Sequence, residues 1–213
     1  MAIRTLEDLE ARLTADLKWR NQELFSWEKQ VERTKDLTRS GLLRGGWALI
    51  YAHWEGYVKS SGVAYLEWVS RKGLKLSDLR DELAAVSIRA SLQKLAEEKN
   101  PERHTEIVTL VREEALRPAE LPYTDAMIRT NSNLNFKAFS SIMHALGCDA
   151  SAHDAHKMFI DSRLLKQRNG IAHGRKEYVE LEEWVEGRDI VMKILRDVRT
   201  QIANAAALNA HLR

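Results

Sequence analysis

The chain has 213 residues, room for one well-filled core and little for two at roughly 100 to 200 residues per domain. Apolar residues make up 44% and charged residues 30%, which excludes a disordered chain and a membrane-spanning one. Thirty-three Lys and Arg against thirty-one Asp and Glu leave a formal charge of +2, so net charge assigns no nucleic-acid partner and any such claim rests on local clustering.

Three prolines and ten glycines punctuate the chain, and the stretches between them are rich in Leu, Ala, Glu, Lys and Arg, which predicts an all-α fold. Met1 to Arg20 alternates charge with leucine and lacks the continuous apolar run of a signal peptide, so a cytoplasmic location is expected. Leu6, Leu9, Leu13, Leu17, Leu24, Trp27 and Val31 form the stripe of one long amphipathic helix, with Thr5 and Asp8 as its capping start. Leu43, Trp47, Ile50, Trp54, Tyr57, Tyr65 and Trp68 continue that spacing in a second helix from about Leu42 to Arg71, whose aromatic content marks it as central.

From Lys72 to Arg117 the charges are dense and balanced, with two shorter helical patterns, about Leu79 to Lys99 and Pro101 to Arg117. They read as a peripheral insertion. Pro118 to Asn135 is polar and turn-like, with Asn131, Ser132, Asn133 and Asn135 as turn and capping residues. Phe136 to Leu146 is a short apolar helix closed by Gly147. Cys148 is the single cysteine, which suits a reducing compartment and reads as an inert thiol. Ala152 to Arg168 is predicted as a helix broken at Arg168-Asn169-Gly170, and Leu181 to Leu212 as a long closing helix. The sum is a single domain, an antiparallel bundle of long helices with a helical insertion at about 72–117. Trp27, Trp47, Trp54 and Trp68 are expected in the core, leaving Trp19 and Trp184 open to another use.

The densest chemistry lies in Arg168-Asn169-Gly170-Ile171-Ala172-His173-Gly174. In an uninterrupted helix a five-residue step rotates about 140°, so Arg168 and His173 point to different sides unless Gly170 introduces a kink that brings both towards one pocket. Lys157, Arg163, Lys166, Arg168, Arg175 and Lys176 stand against one acid, Asp161, across residues 157–176, a phosphate-attracting concentration of charge. A blander reading treats the basic residues and glycine as an ordinary helix C-terminus.

The Arg-x4-His run resembles the catalytic motif of the HEPN superfamily, helical domains of which many are metal-independent ribonucleases. Tyr51-Ala52-His53-Trp54-Glu55-Gly56-Tyr57-Val58-Lys59 resembles the Trp-Glu-Gly helix of a stand-alone bacterial branch, and Asn133-Leu134-Asn135-Phe136 resembles its Asn-Leu segment. The resemblance spans roughly Leu42 to the C-terminus. It implies an endoribonuclease of the toxin or antiviral-defence kind, in which the RNA 2′-hydroxyl attacks the neighbouring phosphate to leave a 2′,3′-cyclic phosphate and a 5′-hydroxyl. Arg168, His173 and Asn169 are its implied catalytic residues and Glu55 its support. It further implies RNA as substrate, a homodimer with a composite active site, and a cognate antitoxin or defence-system partner.

The residue types suit that chemistry. Imidazole, with an ordinary pKa near ~6.5, exchanges protons at neutral pH. The guanidinium of Arg168 offers a planar donor fork to phosphorane oxygens, and Lys166, Arg175, Lys176 and Arg163 supply phosphate contacts. No cofactor and no metal are expected.

Two other classes stay open. Catalytic inactivity would leave a HEPN-like module that binds RNA, a nucleotide or a partner protein. His153, Asp154 and His156, with His144 nearby, are residue types that suit a metal-dependent phosphohydrolase, although sequential His153 and Asp154 lie about 100° apart on a helix. Glu55 also has a simpler reading, an i, i+4 pair with Lys59.

Overall fold

The computed structural model describes residues 2–90, 92–93, 100–124 and 133–213. Seven α-helices occur among them: α1 (Leu6–Arg33), α2 (Asp36–Ser70), α3 (Asp81–Ser87), α4 (Pro101–Glu114), α5 (Phe136–Ala145), α6 (Lys166–Ala172) and α7 (Leu181–Ala207). About 76% of the described residues are helical. The β-bridges among the described residues are two isolated ones, Lys75 with Pro118 and Leu79 with Leu212.

Thr5 and Asp8 start α1 as a capping box: Thr5 Oγ1 accepts the Asp8 N–H and Asp8 Oδ2 accepts the Thr5 N–H, each at 3.0 Å. Leu9, Leu13, Leu24 and Val31 bury the predicted stripe. Two extended residues turn the chain into α2, which begins at Asp36, six residues earlier than its aromatic pattern indicates. Sixteen of the 35 residues of α2 are buried, the pattern of a helix wrapped on most sides. Trp47, Trp54, Tyr57 and Tyr65 are fully enclosed.

Contacts fix the directions of the three long helices. Trp27 N–H donates to Leu42 O at 3.0 Å and Tyr57 O–H to Leu13 O at 3.2 Å, so α1 runs antiparallel to α2. Arg188 pairs with Glu28, and Arg199 Nη2 donates to Thr14 Oγ1 at 3.0 Å, so α7 is also antiparallel to α1. Gly46 abuts Trp184 and Gly187 abuts Trp47. Farther along, Trp68 meets the ring of His211, 5.0 Å between centroids, so α2 and α7 run in the same direction. The all-α bundle is as expected, while the antiparallel description holds for two of these three pairings.

Residues 74–76 pair with 117–119, the Leu76 N–H donating to Arg117 O at 3.1 Å and the Ala119 N–H to Leu74 O at 2.7 Å, while Leu79 and Leu83 of the intervening stretch are buried in the hydrophobic core. The helix expected from Leu79 starts at Asp81, after a 3₁₀ turn, and α3 packs on α5. Residues 94–99 of that pattern lie outside the described residues.

Between α5 and α7 the single predicted helix is three pieces: a 3₁₀ segment Ser151–His156, a π-helical segment Phe159–Leu165, then α6. The widened turns keep Phe159, Ile160 and Leu164 buried on the core, a register that a uniform 3.6-residue repeat does not anticipate. Trp184, left open to a use outside the core, is fully buried. Trp19 is half-exposed, its indole N–H donating to Asp16 Oδ1 at 2.7 Å.

Candidate active site

Trp54, Glu55 and Gly56 of α2 serve three different partners. The buried Trp54 indole donates to Leu134 O at 3.0 Å, and Tyr51, one turn earlier, accepts the Leu134 N–H at 2.6 Å. Both polar backbone groups of Leu134 are therefore held by α2. Asn135 Oδ1 caps α5 by accepting the Ala138 N–H at 2.8 Å, and Asp161 Oδ1 accepts the Phe136 N–H at 2.7 Å. Residues 133–135 thus form a strap tied to α2, α5 and the π-helical segment; Asn131 and Ser132 lie outside the described residues.

Gly56 leaves space for the buried guanidinium of Arg20: a Cβ there would lie 2.8 Å from Arg20 Nη1. Arg20 pairs with Asp16 at 3.1 Å and meets His53 Nδ1 at 3.3 Å. His53 Nε2 lies 2.9 Å from Glu23 Oε2. Burial and then the Arg20 charge lower the His53 pKa against the opposing pull of Glu23 and Asp16. Apolar spacing on α1 gives no sign of this charged cluster.

Arg168 reaches from α6 to α2. Its guanidinium carbon sits 4.1 Å from the Tyr51 ring centroid. Nη1 donates to Asn169 Oδ1 at 2.7 Å and to Asn133 Oδ1 at 3.3 Å, and Nη2 lies 3.8 Å from Glu55 Oε2. Glu55 also accepts from Lys59 Nζ at 2.8 Å. The i, i+4 pair and the contact with Arg168 therefore coexist on one carboxylate.

The break predicted at Arg168-Asn169-Gly170 is absent. Helix α6 continues through Gly170 to Ala172, His173 takes the C-cap, and Gly174 follows with φ +75°. The Gly174 N–H donates to Ile171 O at 3.0 Å and the Arg175 N–H to Gly170 O at 2.9 Å, the double closure of a Schellman motif. Gly170 serves close packing: the Glu177 side chain lies where a Cβ would stand. With no kink, Arg168 faces α2 while His173 is exposed.

A cleft of about 360 Å³ opens beside this helix end, its walls including Asp161, Ser162, Lys166, Asn169, His173 and Arg175. Asn169 joins the two halves of the motif, lining the cleft with His173 and accepting from Arg168. Lys166 and Arg175 face the same space. Lys176 instead places Nζ 5.6 Å from the Tyr178 ring centroid. Arg163 is paired with Glu183 at 3.1 Å and Glu186 at 2.9 Å, so carboxylates from α7 neutralise a charge counted as part of the basic run. Arg44, not singled out from sequence, donates from Nη2 to Arg175 O at 2.9 Å and ties the loop after the motif to α2. No spacing rule links residues 131 positions apart.

The other sequence candidates go elsewhere. His153 is buried with Nε2 2.7 Å from Asp197 Oδ2, which also accepts from Gln201 Nε2 at 2.7 Å, whereas Asp154 is exposed. Among the described residues no group of three or more His, Cys, Asp or Glu side chains is placed to hold a metal ion. Burial pushes the Cys148 thiol up to about 11, so it is protonated at neutral pH.

The model of the MAE_28990-like HEPN family matches residues 9–210. The chain belongs to this HEPN family. No curated protein and no solved structure matches it. Among the described residues no helix of this HEPN protein is long and apolar enough to cross a membrane.

Proposed function

We propose that the protein is a metal-independent HEPN endoribonuclease of the toxin or antiviral-defence kind, acting in the cytoplasm as a homodimer under the control of a cognate antitoxin or defence partner. In this reading residues 1–213 form one HEPN-like unit with 72–117 as its insertion. The observation that carries the proposal is the cleft at the end of α6, where Lys166, Asn169, His173 and Arg175 converge and Asn169 links that space to the guanidinium of Arg168.

The chemistry needs one proton acceptor and one donor. The 2′-oxygen gives up its proton to an imidazole and bonds to phosphorus, the phosphorus–O5′ bond breaks, and the leaving oxygen takes a proton from a second imidazole. One His173 per protomer meets that requirement when two copies join their motifs across a two-fold axis. The exposure of His173 suits a residue completed by a second copy. Arg168 carries the charge that balances the phosphorane, oriented by Glu55, Asn133 and Asn169. Lys166 and Arg175 hold flanking phosphates, with Lys176 farther along the loop.

Purified protein is expected to cleave RNA in EDTA and to leave 2′,3′-cyclic phosphate ends detectable by mass analysis. His173→Ala is expected to lower kcat/KM by about 10² to 10⁴ and Arg168→Ala to do likewise, with dimer mass and helical circular dichroism retained. Parent-rate cleavage by either variant removes the assigned site. One observation favours a second reading: the Arg168 guanidinium already has partners within its own protomer, as in a non-catalytic module holding an anion beside the helix end. RNA binding with no cleavage, with or without EDTA, would establish that alternative.

A further inference from the structure

We propose that Tyr51 is a positioning residue, its ring setting the orientation in which the Arg168 guanidinium meets the phosphate. The inference rests on the nuclease reading of the site and adds a residue to it. Asn169 and Asn133 take the edge of the guanidinium through Nη1, and Glu55 approaches Nη2. The Tyr51 ring adds a contact of another kind, the guanidinium carbon lying over it at 4.1 Å from its centroid. A π face attracts the cation, and resting on it sets the tilt.

The ring is itself held on both sides. Tyr51 is 2% exposed on the central helix, its hydroxyl oxygen accepts the Leu134 N–H at 2.6 Å, and Trp54 holds the carbonyl of the same residue. Burial, opposed by the Leu134 N–H and assisted by Glu55, pushes the Tyr51 hydroxyl up to about 12, so it keeps its proton and can donate to Glu55. Tyr51 thus connects the strap and the guanidinium. Orientation is where such a contact acts on rate: a donor misaligned to the developing charge loses transition-state stabilisation while ground-state phosphate attraction persists.

The test is steady-state cleavage of a fluorogenic RNA, well below the melting midpoint of each variant. Tyr51→Leu is expected to lower kcat about tenfold or more with KM within about threefold, and Tyr51→Phe, which keeps the face, to recover most of that loss. Tyr57→Leu is the control for packing. Tyr57 is equally buried on α2, but its hydroxyl donates to Leu13 O and its ring faces Arg20. This variant is expected to melt lower and keep kcat.

Parent-like kcat in Tyr51→Leu, or an equal loss in Tyr57→Leu, overturns the positioning role while the nuclease reading stands. A parent protein that cleaves no RNA brings down the nuclease reading instead. The proton resonance of the Arg168 Nε–H reads the geometry without activity: Tyr51→Leu is expected to abolish its ring-current shift, and an unmoved resonance refutes the ring contact.

Discussion

Gly56 and Gly170 are both glycines inside helices, yet they tolerate a methyl group differently. A Cβ on Gly56 would press on the Arg20 guanidinium at 2.8 Å, a group already held by Asp16 and facing His53 in a buried setting. Gly56→Ala is expected to cost about 1.5 to 3 kcal/mol, the scale of hydrogen bonds to charged groups lost in a buried site, read as a lowered urea midpoint at constant slope. At Gly170 the obstacle is the half-buried end of Glu177, which is free to swing away, and alanine is about 1 kcal/mol better in a helix. Gly170→Ala is therefore expected to leave the midpoint unchanged or raise it. A large loss would mean that Glu177 cannot give way and that the glycine is needed for close packing.

At the scale of elements, the strap at residues 133–135 matters more than its length suggests, because it joins α2 to α5 and carries Asn133 to Arg168. Asn135 begins α5 by capping the Ala138 N–H. Asn135→Ala is expected to destabilise the protein by about 1 kcal/mol and Asn135→Ser by less, again by urea denaturation; equal losses would show that the cap contributes nothing. The helices around the strap were readable because capping and apolar periodicity are local: Thr5 with Asp8 starts α1 and Gly147 closes α5, with φ +71°. The π-helical segment was not readable, since its wider turns follow the demands of the core on Phe159, Ile160 and Leu164.

Across the whole molecule, three histidines are held in their neutral form. Burial is the leading cause at His53, His156 and His211, and the charges of Arg20, Lys193 and Lys72 add to it respectively. Each folded pKa lies below the ordinary value, so the unfolded chain binds protons first as the solution is acidified. Stability is then fully present above the unfolded value of about 6.5 and is lost as pH falls from there through the folded values. The thermal midpoint is expected to be level near pH 7 and above and to drop on acidification below about pH 6.5. His211→Gln is expected to flatten part of that fall. A midpoint that rises between about pH 7 and pH 6 would contradict the assignment.

What the sequence determined by itself was the helical class, the central position of α2, and the residue types gathered near the end of α6, because periodicity, caps and motif spacing act over a few turns. Only the tertiary structure decided how charges were matched: Arg163 went to Glu183 and Glu186 and Arg168 to the α2 side, while Lys166, Asn169, His173 and Arg175 shared the cleft. Electrostatic partners are chosen by distance in space, and a count of charges along the chain contains no such distances.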